Sequence, residues 1–205
     1  MQNKKFTGVV FDFNGTIFWD TKLHNEAWDI FLSNYNLTLS DEDKTKYLHG
    51  KTNRDILNML FKIDLDEDLF QKYNGEKEKL YQSICIKSGL SFAPGAIDFI
   101  EFLREKNIDY AIATSSGKGN IDFYLSYLHL EKWFTPNQII YNDGSIKSKP
   151  DPEIFQVAMK RLNKNPEDVL IFEDSYAGIA SAEKAGAGKI IIVNSSCICN
   201  LSSRF

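Results

Sequence analysis

Short unbroken apolar runs, each stopping on a polar or acidic residue, constrain this chain more than any other feature. Val9-Val10-Phe11 stops on Asp12, Tyr110-Ala111-Ile112-Ala113 on Thr114-Ser115, and Val169-Leu170-Ile171-Phe172 on Glu173-Asp174. Runs of this length without polar alternation suit strands buried on both faces, hence a parallel sheet with helices on either side. Gln138 to Tyr141 reads as a further short strand and Ile190 to Val193 as the last. Helical spacing fills the intervals: Ala96, Ile97, Ile100 and Leu103, then Ile121, Tyr124, Leu125 and Leu128, then Ile154, Phe155, Ala158 and Leu162, and finally the small residues Ala177, Ala180, Ala182 and Ala185. The predicted class is α/β, a Rossmann-like parallel sheet with right-handed crossovers.

One stretch breaks the alternation. From about Thr21 to Gly89 there are no β-branched runs, and the periodicity is helical throughout. Leu23, Ala27, Ile30 and Phe31 share a face, and Trp28 reads as core beside them. Thr52-Asn53 caps a helix carrying Ile56, Leu57, Leu60 and Phe61. Two more helices are expected, one from Asp66 to Tyr73 and one from Glu76 to Lys87, with Lys77 and Lys79 facing solvent. The expected organisation is a core of residues 1–18 and 91–205 interrupted by a small helical domain, 19–90.

Composition excludes several classes. A formal charge of −4 over 205 residues leaves no basic footprint for nucleic acid or an anionic membrane. No apolar run reaches the ~18 residues of a membrane span, and Met1-Gln2-Asn3-Lys4-Lys5 leads into a strand rather than a signal peptide. Three cysteines, Cys85, Cys197 and Cys199, are an odd count that suits reduced thiols and a cytoplasmic location. Cys197-Ile198-Cys199 lacks a second Cys or His pair to complete a metal site. The tail from Asn194 to Phe205 reads as loosely held.

In a parallel sheet the carboxyl ends of all strands open on one rim, where open α/β sheets hold their ligands. Asp12, Thr114, Ser115, Glu173 and Asp174 therefore converge, with Lys149 contributed by the loop before a helix. Hard oxygens at Asp12 and Asp174 suit Mg2+, and a hydroxyl, backbone amides and an ammonium suit phosphoryl oxygens.

These segments, Asp12-Phe13-Asn14-Gly15-Thr16, Ala113-Thr114-Ser115-Ser116, Lys149-Pro150-Asp151-Pro152 and Glu173-Asp174-Ser175-Tyr176-Ala177-Gly178, resemble the haloacid dehalogenase superfamily of phosphohydrolases, in the branch of β-phosphoglucomutase and phosphoglycolate phosphatase. The resemblance implies that residues 19–90 are a mobile cap. It implies that Asp12 attacks phosphorus, and that Asp12, the carbonyl of Asn14 and Asp174 hold Mg2+ with Glu173 close by or acting through water. Thr114, the Ser115 amide and Lys149 would bind the phosphoryl group, while Arg54 and His24 in the insert would meet the substrate. The implied protein is an enzyme on a small phosphorylated metabolite, monomeric, with no nucleic-acid or membrane partner.

Position 14 departs from the family pattern. An aspartate usually stands there to protonate the leaving oxygen, and the Asn14 amide cannot do so. Losing acid–base help is worth roughly 10²–10⁴ in rate. The expectation is a slow enzyme favouring aryl or acyl phosphates, in which Asn14→Asp raises turnover most for alkyl phosphates. Phosphatase and phosphomutase share these residues. Two other readings follow from the same position: a phosphate-binding regulatory protein with negligible turnover, and a phosphonate hydrolase using Lys51 as a Schiff-base amine.

Overall fold

The structure is a computed structural model and describes residues 5–194. The tail beyond Asn194, expected to be loosely held, the Cys197-Ile198-Cys199 segment and most of the N-terminal lead-in lie outside the described residues.

The strands form as the apolar runs require. β1 (Gly8–Phe11), β2 (Asp109–Thr114), β3 (Ile139–Tyr141), β4 (Val169–Glu173) and β5 (Lys189–Ile192) make one sheet in the order β3-β2-β1-β4-β5. Every pairing is parallel, with Val10 opposite Ala111 on one side and Ile171 on the other. β1 is therefore central, and its carboxyl end lies between those of β2 and β4.

Alternate residues of β1 feed opposite layers. Val9 and Phe11 join Tyr110, Ile112, Ile100 and Leu103 on the face covered by α5 (Ala96–Glu105) and α6 (Lys118–Leu128). Val10 joins Ala111, Ile171, Phe155 and Ala158 on the face covered by α7 (Glu153–Arg161) and α8 (Tyr176–Lys184). The small residues of α8 let it lie close to the sheet, and Gly178 allows the closest approach: a Cβ there would fall 1.6 Å from Glu173 Oε1.

Four helices occupy the interval after β1: α1 (Thr21–Asn34), α2 (Asp41–Tyr47), α3 (Asn53–Phe61) and α4 (Glu67–Ser88). Trp28, Phe31, Leu48, Ile56, Leu57 and Leu65 give them a cluster of their own. The Thr52 cap is present, its side chain accepting from the Asp55 amide.

Three expectations for this interval are corrected. The helices expected at Asp66–Tyr73 and Glu76–Lys87 are one helix, because Gly75 sits in open space and nothing there forces a break. α2 was not anticipated, since its DEDKTKY sequence has no apolar stripe, but Ser40 caps it through the Asp43 amide. Ile30 is 39% exposed, because α1 turns its Trp28 and Leu32 flank inward instead.

Candidate active site

Asp12 leaves the end of β1 with its amide still bonded to Phe172 O, so the strand ladder itself sets the carboxylate's position. The turn that follows is tight. Gly15 has φ +79°, and a Cβ there would stand 2.1 Å from Asp174 Oδ2. Only glycine lets that loop and the end of β4 come so close.

Lys149 joins the two strand ends. Its Nζ donates to Asp12 Oδ1 at 2.6 Å and to Glu173 Oε1 at 2.7 Å, and the side chain has no exposure. Glu173 Oε2 accepts from the Ser175 amide at 2.7 Å and its hydroxyl at 3.1 Å, so both Glu173 oxygens are engaged within the protein. Thr16 Oγ1 donates to Asp174 Oδ1 at 3.4 Å. The two aspartates are less fully bonded than the glutamate.

Asp12, Glu173 and Asp174 each offer an oxygen within 4.8 Å of the others. Burial drives the Asp12 carboxyl well above its ordinary pKa, against the pull of Lys149 and with help from Glu173 and Asp174. Burial and the Glu173 charge push Asp174 up to about 7. Burial would lower Lys149, but the Asp12 and Glu173 carboxylates hold it above its ordinary value. Three carboxylates against one ammonium leave a formal charge of −2, which a divalent cation would cancel. Hard oxygens around a small gap suit a hard divalent cation.

Thr114 ends β2 beside this cluster. Its hydroxyl accepts from the Ser116 amide at 3.1 Å and donates to Asn14 Oδ1 at 3.3 Å. Ser115 faces the insert, donating to Gly50 O at 2.9 Å. Asn14, Thr114 and Ser115 line a cavity of about 910 Å³ between the rim and the insert, open also to Asp12, His24 and Arg54.

The insert residues are placed in different ways. Arg54 stacks 3.9 Å from the Phe70 ring, with its fork held by Glu67 and the Leu65 carbonyl, so much of its bonding capacity is spent within the insert. Lys51 lines the cavity. His24 stacks on Tyr81 at 3.7 Å, with Nε2 3.4 Å from Asp20 Oδ2 and from Asn14 Nδ2.

Lys77 corrects an expectation. It is 1% exposed rather than solvent-facing. Its Nζ reaches His24 Nδ1 at 2.9 Å and Glu78 Oε1 at 3.0 Å, between the Trp28 and Tyr81 rings. Glu78 also takes Asn53 and the Asn120 amide of α6, the latter at 2.8 Å, which ties the insert to the sheet layer. Lys79 is exposed as expected, and Trp28 is buried.

Sequence reasoning missed Ser116, Asp20, Tyr81 and Tyr124 as site residues. Nothing in their types distinguishes them from core tyrosines and loop hydroxyls. The one available signal was that tyrosine, unlike phenylalanine, brings a hydroxyl that a buried position must satisfy.

The family model described as haloacid dehalogenase-like hydrolase matches residues 9–192. A phosphorylated carbohydrates phosphatase of Thermotoga maritima is 32% identical over 185 residues, covering 89% of this chain and 82% of that protein. The crystal structure of a family IA, variant 3 hydrolase from Entamoeba histolytica superposes with a TM-score of 0.80 at 37% identity, covering 92% of this chain and 85% of the other. A β-phosphoglucomutase-like structure from Bacteroides vulgatus shares the fold, with a TM-score of 0.78 at 21% identity over 94% of this chain and 78% of its own.

Proposed function

This chain belongs to the haloacid dehalogenase-like hydrolase family, and on that premise we propose that it is a magnesium-dependent phosphatase of a small, hydroxyl-bearing phosphorylated metabolite, working through an aspartyl phosphate on Asp12. The observation that carries this reading is the Lys149 bridge, which holds Asp12 and Glu173 together beside Asp174 at the floor of an open cavity.

Asp12, the Asn14 carbonyl and Asp174 would hold the ion, which when bound supplies charge compensation for the phosphoryl oxygens. Asp12 Oδ2 attacks phosphorus as the ester bond to the leaving oxygen breaks, dividing the transfer into two steps. Lys149 Nζ steadies the Asp12 carboxylate and offsets the repulsion an anionic substrate meets there. Glu173 orients that ammonium rather than the ion, since both its oxygens are occupied. Thr114 and the Ser115 amide line the phosphoryl position. Residues 19–90 act as the cap, and Asn53, Lys77, Glu78 and Asn120 present polar groups suited to substrate hydroxyls.

The leaving oxygen gains no proton from Asn14. Turnover is therefore slow and best with aryl or acyl phosphates. The test is a panel of phosphorylated metabolites and p-nitrophenyl phosphate, with magnesium and with EDTA, on this chain and on Asp12→Asn. Phosphate release that needs magnesium and vanishes in Asp12→Asn supports the reading. Release that survives Asp12→Asn, or tight magnesium-dependent binding of phosphate without any hydrolysis, overturns it, the latter in favour of a phosphate-binding regulator.

A further inference from the structure

Asp20 takes no part in the phosphoryl transfer just described, yet it has no exposure. It closes a ring of four side chains with Asn14, Tyr81 and Tyr124. Asn14 Nδ2 donates to Asp20 Oδ2 at 2.7 Å and to the Tyr124 oxygen at 2.7 Å. The Tyr81 hydroxyl donates to the same Asp20 oxygen. The Tyr81 and Tyr124 oxygens stand 3.0 Å apart.

The direction of every proton in this ring is forced. Tyr81 spends its hydrogen on Asp20, so the hydrogen between the two tyrosines belongs to Tyr124. Within the ring, Asn14 Nδ2 is the source of two bonds and Asp20 Oδ2 the end of two, and His24 Nε2 stands outside it, 3.4 Å from both atoms. The other oxygen of Asp20 accepts from the Gly15 amide at 3.1 Å. The other end of the Asn14 amide accepts from Ser116 Oγ at 2.8 Å and from Thr114 Oγ1 at 3.3 Å. Asn14 thus uses both hydrogens and both lone pairs, and its amide cannot be flipped without setting an oxygen against the Asp20 carboxylate.

We infer that Asn14 and Asp20 form a matched amide–carboxylate pair of positioning residues, in which Asp20 orients the Asn14 amide and the amide in turn orients the Thr114 hydroxyl at the phosphoryl site. The kinetic part rests on the phosphatase reading above; the pairing itself does not. The ring also joins the insert to the core, since Tyr81 comes from α4 and Tyr124 from α6.

The ring predicts what exchange at either corner does. Carboxylates at positions 14 and 20 repel across the shared edge while both are ionised, and only uptake of a proton puts a hydrogen between them. An amide at both positions sets two donors, or an amide and the Gly15 N–H, against each other. Exchanging both residues reverses the whole circuit: position 20 becomes the source, Tyr81 donates to Tyr124, and Tyr124 donates to position 14. All four edges are then bonded again.

The test is a double-mutant cycle on the full chain: Asn14→Asp, Asp20→Asn and the two together. Unfolding midpoints, read without substrate or magnesium, should fall by about 5 °C in each single variant, as buried groups lose their partners. The double variant should regain most of that loss. With magnesium, kcat for p-nitrophenyl phosphate should be lower in each single variant than in the double one, with KM within about twofold, a split that mere loosening of the fold would not give. On an alkyl phosphate the double variant should exceed the parent by about tenfold or more, since it restores a carboxyl at position 14 in a satisfied ring. Additive losses of midpoint in the double variant, or Asn14→Asp alone as stable as the parent, overturn the pairing. If the midpoints recover and no variant releases phosphate, the pairing stands and the phosphatase reading falls.

Discussion

Two buried polar clusters lie side by side at the end of β1, and they treat aspartate in opposite ways. In the rim cluster, burial and like charges push Asp12 and Asp174 up. In the ring, burial would raise Asp20 too, but His24, Tyr81 and Asn14 together hold it below its ordinary value. The difference is one of completeness. The ring matches each hydrogen to an acceptor inside the protein, whereas the rim gathers three carboxylates around one ammonium and leaves charge to be shared with ligands. A completed cluster fixes the groups it joins, and an incomplete one keeps charge available for chemistry.

The sharpest way to break the contrast is to remove Lys149, the one cation of the rim among the described residues. Lys149→Met leaves Asp12 and Glu173 facing each other without a donor. Removing one member of a buried pair costs about 3–5 kcal/mol. The urea midpoint at neutral pH should drop accordingly, magnesium should recover part of the loss, and phosphate release should disappear. An unchanged midpoint would mean that these charges are not coupled as the geometry has them.

A smaller effect tests the rim through its protons. A carboxyl whose folded pKa is raised binds its proton more tightly folded than unfolded, so stability falls as pH rises between the two values. For Asp174 that window runs from the ordinary carboxylate range near 3.8 to about 7. In EDTA, this site should therefore make the protein less resistant to urea at pH 7.5 than at pH 5. Magnesium should reduce or reverse the trend, because bound cation favours the charged form. A pH trend indifferent to magnesium would separate Asp174 from the ion site.

How legible each cluster was in the sequence follows the same division. The rim residues stand at the ends of apolar runs, in short motifs whose residue types announce oxygen and phosphate chemistry. A parallel sheet brings such ends together whatever the details of packing. The ring was not legible, because its partners lie 6, 61 and 43 positions apart in successive pairs and two of them are tyrosines on helix faces. Tyr124 was counted as a core position by its spacing, which is true of its ring and silent about its hydroxyl. Lys77 failed for a related reason. A charge-rich helix reads as solvated, and only the packing of α4 over Trp28 and His24 shows that one of its lysines turns inward.

Within the ring, Tyr81→Phe removes one hydroxyl and keeps the aromatic surface. Asp20 loses a donor and Tyr124 loses its acceptor, at a cost of about 1–3 kcal/mol. The loss should appear in the urea midpoint whether or not magnesium is present, unlike that of Lys149→Met. Dependence on magnesium would merge the two clusters into one.

The smallest effect concerns the Asn14-Gly15 pair itself. Deamidation requires the following backbone nitrogen to lose its proton and attack the side-chain amide carbon. Here the Gly15 N–H donates to Phe18 O at 2.7 Å and to Asp20 Oδ1 at 3.1 Å, and the amide is held at both ends. Peptide mapping after days at pH 8 should find far less conversion at Asn14 in the folded protein than in the urea-unfolded chain. Tyr81→Phe, still folded but with the ring opened, should fall between them. Conversion as fast in the folded protein as in urea would show that the amide is free to turn, and the ring could then set neither its direction nor that of Thr114.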